Sequence, residues 1–339
     1  MPYNRLAIYG HRGWASSAIA QALLTSGAPA KLLYRPGSNA NGLKGDFDEV
    51  EVDIQDQDAL RAALEDVDIL LDVWPSPPYP PIPISILLSG HLGLISLVGR
   101  EDIPLQHAFI QAIPHTNVQL FVPSDLAFRC DEQGLRIGVN KEKDDVERAA
   151  REAGIAVCVI LPCVFAESGL NTGLLGVDVV NNRILFTGDS ENQVLNICTR
   201  SYVSKAYATL LSTTPLPLLQ NRTIALTEIQ TTGAEIATAL TKKHGVPPQL
   251  FHHSLAEVDR QIDECVRFGK PLGLGWYCRR RWGAGECLGA LGGDVWDGKD
   301  GDGGSVEERT LEELIIDGML GSYMELPGVV LEALERTFY

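Results

Sequence analysis

A doubly wound α/β fold of the Rossmann type, with a parallel sheet and a smaller C-terminal α+β region, is what this sequence predicts. Three observations carry the prediction. Short aliphatic runs alternate with amphipathic segments through the first half of the 339-residue chain, the signature of βαβ units. One of these runs, Ile69–Trp74, is almost wholly apolar, as a parallel strand buried on both faces requires. The first run leads straight into a glycine turn that opens a helix.

In chain order, Arg5–Tyr9 reads as the first strand. Trp14–Thr25 follows as a helix with Ala15, Ile19, Ala22 and Leu23 on one face. Lys31–Tyr34 and Val50–Asp53 are the second and third strands, and Asp56 is placed to cap the helix that begins DALRAAL. Ile69–Trp74 is the fourth strand. The proline run Pro75–Pro83 is barred from helices and central strands. It reads either as a stiff surface loop or as a wall above the carboxyl end of the fourth strand, where open α/β sheets bind ligands. Pro75 and Tyr79 are the residues that such a wall would offer. Val118–Pro123 is the fifth strand, Glu142–Ala153 a strongly charged helix and Ile155–Leu161 the sixth strand, closed by Pro162. Beyond it the alternation loosens. Residues 1–163 are expected to form the dinucleotide-binding domain, with 194–212 returning to it; residues 164–193 and 213–339 are expected to form a smaller substrate-binding region. The acidic, glycine-rich Gly292–Ser305 reads as a flexible surface loop.

Composition narrows the function. A formal charge of −16, with Arg279–Arg281 as the only basic cluster, argues against direct nucleic-acid binding, and that cluster reads as a solvated face or a partner contact. No apolar run is long enough to span a bilayer, so a cytoplasmic protein with no membrane association is expected. The seven cysteines form no C-x-x-C pair, and neither they nor the histidines show metal-ligand spacing. They read as small buried hydrophobes in a reducing compartment, and no metal is expected.

The chemistry concentrates in Gly10-His11-Arg12-Gly13-Trp14. Glycine is needed where the chain turns sharply and where backbone approaches a diphosphate, while the helix behind supplies unpaired N–H groups and its dipole. Gly10 and Gly13 stand in both places, with Ser16 at the third glycine position. The end of the second strand selects the cofactor. An acidic residue there would bind the ribose 2′-hydroxyl of NAD, but the chain reads LLYRPGS, with Arg35 and Ser38 placed for the 2′-phosphate of NADP(H) and Arg12 within reach. Asp53 would end the third strand near the adenine, or merely begin the next turn.

These segments, with VDIQDQDALRAALEDVDILLDV, QHAFIQAI, VQLFVPSD, KDDVERAAREAGIAVCVILPCVF and TLEELI, resemble the NmrA-like and isoflavone-reductase-like proteins, an atypical branch of the short-chain dehydrogenase/reductase superfamily. The resemblance implies that Lys143 acts in proton transfer near the nicotinamide, that Phe165 packs by the cofactor ring, and that Pro123, Ser124 and Asp125 line the site; Pro162 is assigned to the cofactor side with them. It also implies secondary metabolism. The chain departs from the family's G-A-T-G with G-H-R-G, and no Tyr-x-x-x-Lys stands in the place the ordinary short-chain reductases use.

Three readings follow. The first is an NADPH-dependent reductase, an oxidoreductase acting on a small aromatic or polyketide-like carbonyl or enone. The second is an NADP(H)-binding redox sensor that signals through a protein partner without turnover. The third is a non-redox isomerase or cyclase in which Asp125, Tyr79 or a histidine is the acid or base. A homodimer is open in each.

Overall fold

In the computed structural model the described residues are 3–73, 100–270, 272–287, 292–296, 298 and 305–339. Pro75 and Tyr79, and the proline wall they belong to, lie outside them. The first half contains β1 (Leu6–Tyr9), α1 (Trp14–Leu24), β2 (Ala30–Tyr34), β3 (Asp48–Glu51), α2 (Gln57–Ala63), β4 (Ile69–Asp72), α3 (His107–Ala112), β5 (Leu120–Val122), α4 (Gly138–Glu152) and β6 (Cys158–Leu161). Five of the strands form a wholly parallel sheet in the order β3-β2-β1-β4-β5, the predicted doubly wound arrangement.

The sheet is buried on both faces because its strands are apolar at successive positions. Leu6 and Ile8 of β1 enter one hydrophobic cluster, with Leu32, Ile69, Leu71, Leu120 and Val122. Ala7 and Tyr9 enter the other, with Leu33, Leu70 and Phe121. This is the two-sided burial that a period-2 backbone gives when helices cover both faces. Only β3, whose sequence is DEVE, is exposed, as suits an edge strand. Asp56 caps α2 as expected, accepting from Asp58 N and Ala59 N.

Farther along come β7 (Val164–Phe165), α5 (Ala166–Asn171), β8 (Val177–Asp178), β9 (Arg183–Thr187), β10 (Leu195–Cys198), α6 (Arg200–Thr213), β11 (Arg222–Ala225), β12 (Ile229–Thr231), α7 (Gly233–His244), β13 (Gln249–His253), α8 (Leu255–Phe268), α9 (Gly273–Gly283), β14 (Asp294–Val295), α10 (Leu311–Ile315) and α11 (Gly328–Glu335). β6 adjoins β5 through a single bridge, Phe121 to Val157, and continues in parallel into β11 and β14. β10 pairs with β7 and β12, and β9 with β8 and β13. α6 packs against α1, which brings the segment after residue 194 back onto the first half through its helix, while its strand joins a separate small sheet.

Three sequence expectations change. The charged helix begins at Gly138, four residues before the expected start at Glu142, and Asn140 Nδ2 donates to Gly134 O at 3.1 Å. Asp294 and Val295, read as flexible loop, form a strand on β11, and Asp294 pairs with Arg222. The basic cluster is not solvated. Arg279 is 1% exposed, donating to the carbonyls of Leu174 (2.8 Å) and Gly173 and to Thr337 Oγ1 (3.1 Å), and burial lowers its pKa to about 9. Arg281 is 9% exposed and bound to Asp131 at 2.9 Å. Alternating charge and burial on one short helix turn cannot be read from composition. The cysteines are all free, and all but Cys130 are fully buried. Among the described residues no helix is long and apolar enough to cross a membrane, and no cluster of potential ligands could hold a metal ion.

Candidate dinucleotide crevice and active site

The glycine turn is built as its sequence requires. Gly10 has φ 82°, a left-handed conformation that a side chain would strain. Gly13 occupies the N-cap of α1 with extended backbone and no side chain capping the first turn. The first amides of α1 are therefore open to an external acceptor. Ser16 is buried and its Oγ has no hydrogen-bond partner, a second polar group at this helix end without an internal use. A diphosphate fits this combination.

The turn is tied to the loop after β2. His11 lies nearly buried, and its Nε2 is 2.9 Å from Asn39 O; a carbonyl only accepts, so Nε2 carries the proton. Burial, with the Arg12 charge beside it, holds the His11 pKa below the ordinary imidazole value, so the ring is neutral. Arg12 Nη2 donates to the same Asn39 O at 3.1 Å. Arg35 and Ser38 sit in the turn just before, with Ser38 N donating to Arg35 O at 3.0 Å. Arg12 and Arg35 are both exposed, and among the described residues neither is paired with a carboxylate. Asp53 uses its side chain locally, accepting from Gln55 N at 3.0 Å in the turn after β3.

Behind the turn opens a cleft of about 100 Å³, open to solvent, between the start of α1, the segment after β5, the start of α5 and the C-terminal segment. Its wall is largely aromatic and aliphatic, with Trp14, Phe128, Phe165, Leu274, Tyr323 and Met324 prominent. Phe165 meets Trp14 edge to face, centroids 5.3 Å apart. Arg200, at the start of α6, holds Trp14 from another side: its guanidinium lies 5.1 Å from the indole centroid, and Nη2 donates to Ser17 Oγ at 2.8 Å. Ser124 N donates to Gln106 Oε1 at 3.1 Å, which fixes the turn after buried Pro123. Pro162 is buried, and Cys163 after it takes φ 67°, an uncommon conformation for a side-chain-bearing residue, as its N–H turns to Ala127 O.

Lys143, on α4, and Asp125, in the segment after β5, are brought together: Nζ lies 3.5 Å from Oδ1, with the two side chains 8% and 16% exposed. Burial pushes the Asp125 carboxyl up, against the opposing pull of Lys143 and Arg129. The same burial, with the Asp125 charge, raises the Cys130 thiol to about 12, so it is an inert neighbour. Asn140, one turn before Lys143, lines the cleft, as do Ser124 and Leu126 on either side of Asp125; Lys143 and Asp125 themselves are not among its lining residues. The sequence reading missed Tyr323, Met324, Asn140 and Arg200. Asn140 carried a usable signal, since a residue three before Lys143 shares its helix face.

No protein-family model and no curated protein matches the chain. Among solved structures it is similar to the binary complex of leucoanthocyanidin reductase with NADPH from Vitis vinifera, at 17% identity and a TM-score of 0.67, over 92% of this chain and 98% of that one. It is similar to isoflavone reductase at 18% identity and a TM-score of 0.63, over 98% and 99% of the two chains. It is also similar to the triphenylmethane reductase of Citrobacter sp. complexed with NADP(H), at 16% identity and a TM-score of 0.50, over 98% and 99%. The fold expected from the resemblance is thus borne out: the chain has the Rossmann-based architecture of the isoflavone-reductase-like proteins.

Proposed function

We propose that the chain is an NADPH-dependent reductase of a small aromatic carbonyl or enone. The observation that carries this reading is the pair of exposed arginines, Arg12 and Arg35, which have no carboxylate partner among the described residues and flank an uncapped glycine turn. A 2′-phosphate and a diphosphate are the anions such a pair and such a turn suit. Two of the structural neighbours are complexes with NADPH or NADP(H), which supports the same cofactor here. Gly10, His11, Gly13 and Trp14 would hold the diphosphate end, and Arg12, Arg35 and Ser38 the 2′-phosphate. Phe165 would flank the nicotinamide with Pro123, Ser124 and Pro162.

When bound, the reduced cofactor supplies a hydride. The chain supplies the rest. Its apolar wall would exclude water and orient a flat ring, and Lys143, beside Asp125 and one turn along α4 from the cleft-lining Asn140, would pass a proton toward the substrate oxygen. Secondary metabolism suits such a substrate, and two of the neighbours are reductases named for leucoanthocyanidin and isoflavone. The test is oxidation of NADPH across small aromatic ketones and enones. Turnover with at least one supports the reading.

A second reading is favoured by one observation: Lys143 and Asp125 pair with each other and neither lines the cleft. A redox sensor that binds NADP(H) and reports to a protein partner has no need of a proton donor facing the substrate. Tight NADPH binding with no oxidation across the whole panel would select it.

A further inference from the structure

The cleft has one wall that neither the glycine turn nor the catalytic pair accounts for. It comes from the segment between α10 and α11, which has no regular secondary structure, and it places Tyr323 and Met324 against the cleft. Three anchors hold this strap. Trp14 Nε1 donates to Ser322 O at 3.1 Å, and Asn171 Nδ2 donates to Gly321 O at 2.9 Å. Leu326 is buried in a small cluster with Val330 and Leu334 of α11, against which Tyr323 and Met324 also pack. The Tyr323 ring meets the Trp14 indole edge to face, centroids 4.7 Å apart at 64°. The strap is therefore fastened to the residue directly after the glycine turn, and its side chains face the cleft at a fixed distance from it.

We infer that Tyr323 and Met324 are specificity-determining residues of this cleft and set the size of the aromatic ring system it admits. The inference rests on the aromatic-substrate reading above. It follows from what each side chain can do. Met324 is unbranched and fills irregular apolar space, so shortening it opens room on the substrate side without touching the sheet. Tyr323 is held by Trp14, so its ring is a fixed boundary rather than a mobile one. Being irregular backbone on a rigid scaffold, the strap is also the part of the site that can change sequence at least cost to the fold.

The test is isothermal titration of acetophenone, with one ring, and 2-acetonaphthone, with two fused rings, into the full chain with and without saturating NADPH. One extra or missing methylene in an apolar pocket shifts discrimination by about 10- to 200-fold. Met324→Ala is expected to move the affinity ratio of the two ketones at least about tenfold toward the larger ring, and Met324→Trp toward the smaller. NADPH affinity should stay within about twofold in both Met324 variants, since the strap's ring contact and hydrogen bond to the glycine turn run through Tyr323 and Ser322 and not through Met324. Tyr323→Phe should behave as the parent, whereas Tyr323→Ala should lose ring selectivity. A ratio unmoved by both Met324 variants, with thermal midpoints showing folded protein, overturns the assignment. If NADPH fails to bind while the ring ratio still moves, the cofactor reading falls and the strap assignment stands.

Discussion

Arg35 owes its importance to what it lacks. A guanidinium beside a carboxylate is neutralised before any ligand arrives, whereas an exposed one with no such partner keeps its full attraction for an anion. A hydrogen bond to a charged group contributes about 1.5–3 kcal/mol, so Arg35→Glu, which also adds repulsion, should weaken NADPH binding at least about tenfold to hundredfold. NADH, without the 2′-phosphate, should bind the variant about as well as the parent. Parallel fluorescence titrations with both cofactors check this, and equal losses would defeat the 2′-phosphate assignment. Lys143 is a different case. Its ammonium offsets the charge of Asp125, whose carboxyl is already pushed up by burial. Lys143→Ala should therefore leave NADPH binding within about twofold and lower turnover by about 10²- to 10⁴-fold, the usual worth of a positioned acid. Single-turnover rates alongside cofactor titration separate the two effects; unchanged turnover would remove Lys143 from the chemistry.

At the scale of an element, the N-terminus of α6 combines a buried carboxylate, Glu167, with a half-buried one, Glu228. Thr199 caps the helix, and Glu228 in turn accepts from Thr199 N, Thr199 Oγ1 (3.0 Å) and Arg309 N (3.1 Å). Glu167 accepts from Arg200 N at 3.0 Å. The helix dipole and these donors favour ionised carboxylates, but burial outweighs them and, with the nearby Glu167 charge, raises Glu228 to about 7. Its folded pKa thus lies above its unfolded value of 4.5. The folded state then binds more protons than the unfolded state between these values, so this site's stability is full below pH 4.5 and lost as pH rises through about 7. Glu228→Gln should flatten the decline of the thermal midpoint between pH 5 and pH 7.5, a window set by that shift. A decline as steep as the parent's would place the titrating group elsewhere. Elements of the first half were legible because each wrote its own local pattern: apolar runs for β1 and β4, Asp56 as a cap, Gly10 where φ turns positive. The crevice was legible for the same reason. The α6 terminus, the strap and the buried Arg279 were not, because each is made by contacts between segments scores of residues apart, as Glu228 with Arg309 or Arg279 with Gly173.

Across the whole molecule, the central sheet makes its two sides interdependent. Neighbouring residues of one strand, such as Ala7 and Ile8, belong to different hydrophobic clusters, and the cluster holding Ala7 extends through β9, α7, α8 and α9. Neither side can lose its packing without stripping the other face of the same strands, so unfolding should be a single cooperative transition. Cofactor binding at the glycine turn must then stabilise the entire chain by linkage. At a free concentration about a hundred times Kd the gain is about 2.7 kcal/mol. With 339 residues the unfolding entropy is about 0.7 kcal/mol per kelvin, which converts that gain to a rise of about 4 °C in the thermal midpoint. NADPH is expected to move one transition by that amount, and NADH at equal concentration by clearly less, because it offers nothing to Arg12 and Arg35. Scanning calorimetry decides it. Two transitions, of which NADPH moves only one, would mean that the region beyond residue 163 unfolds on its own and that the shared strands do not couple the two clusters as their packing requires.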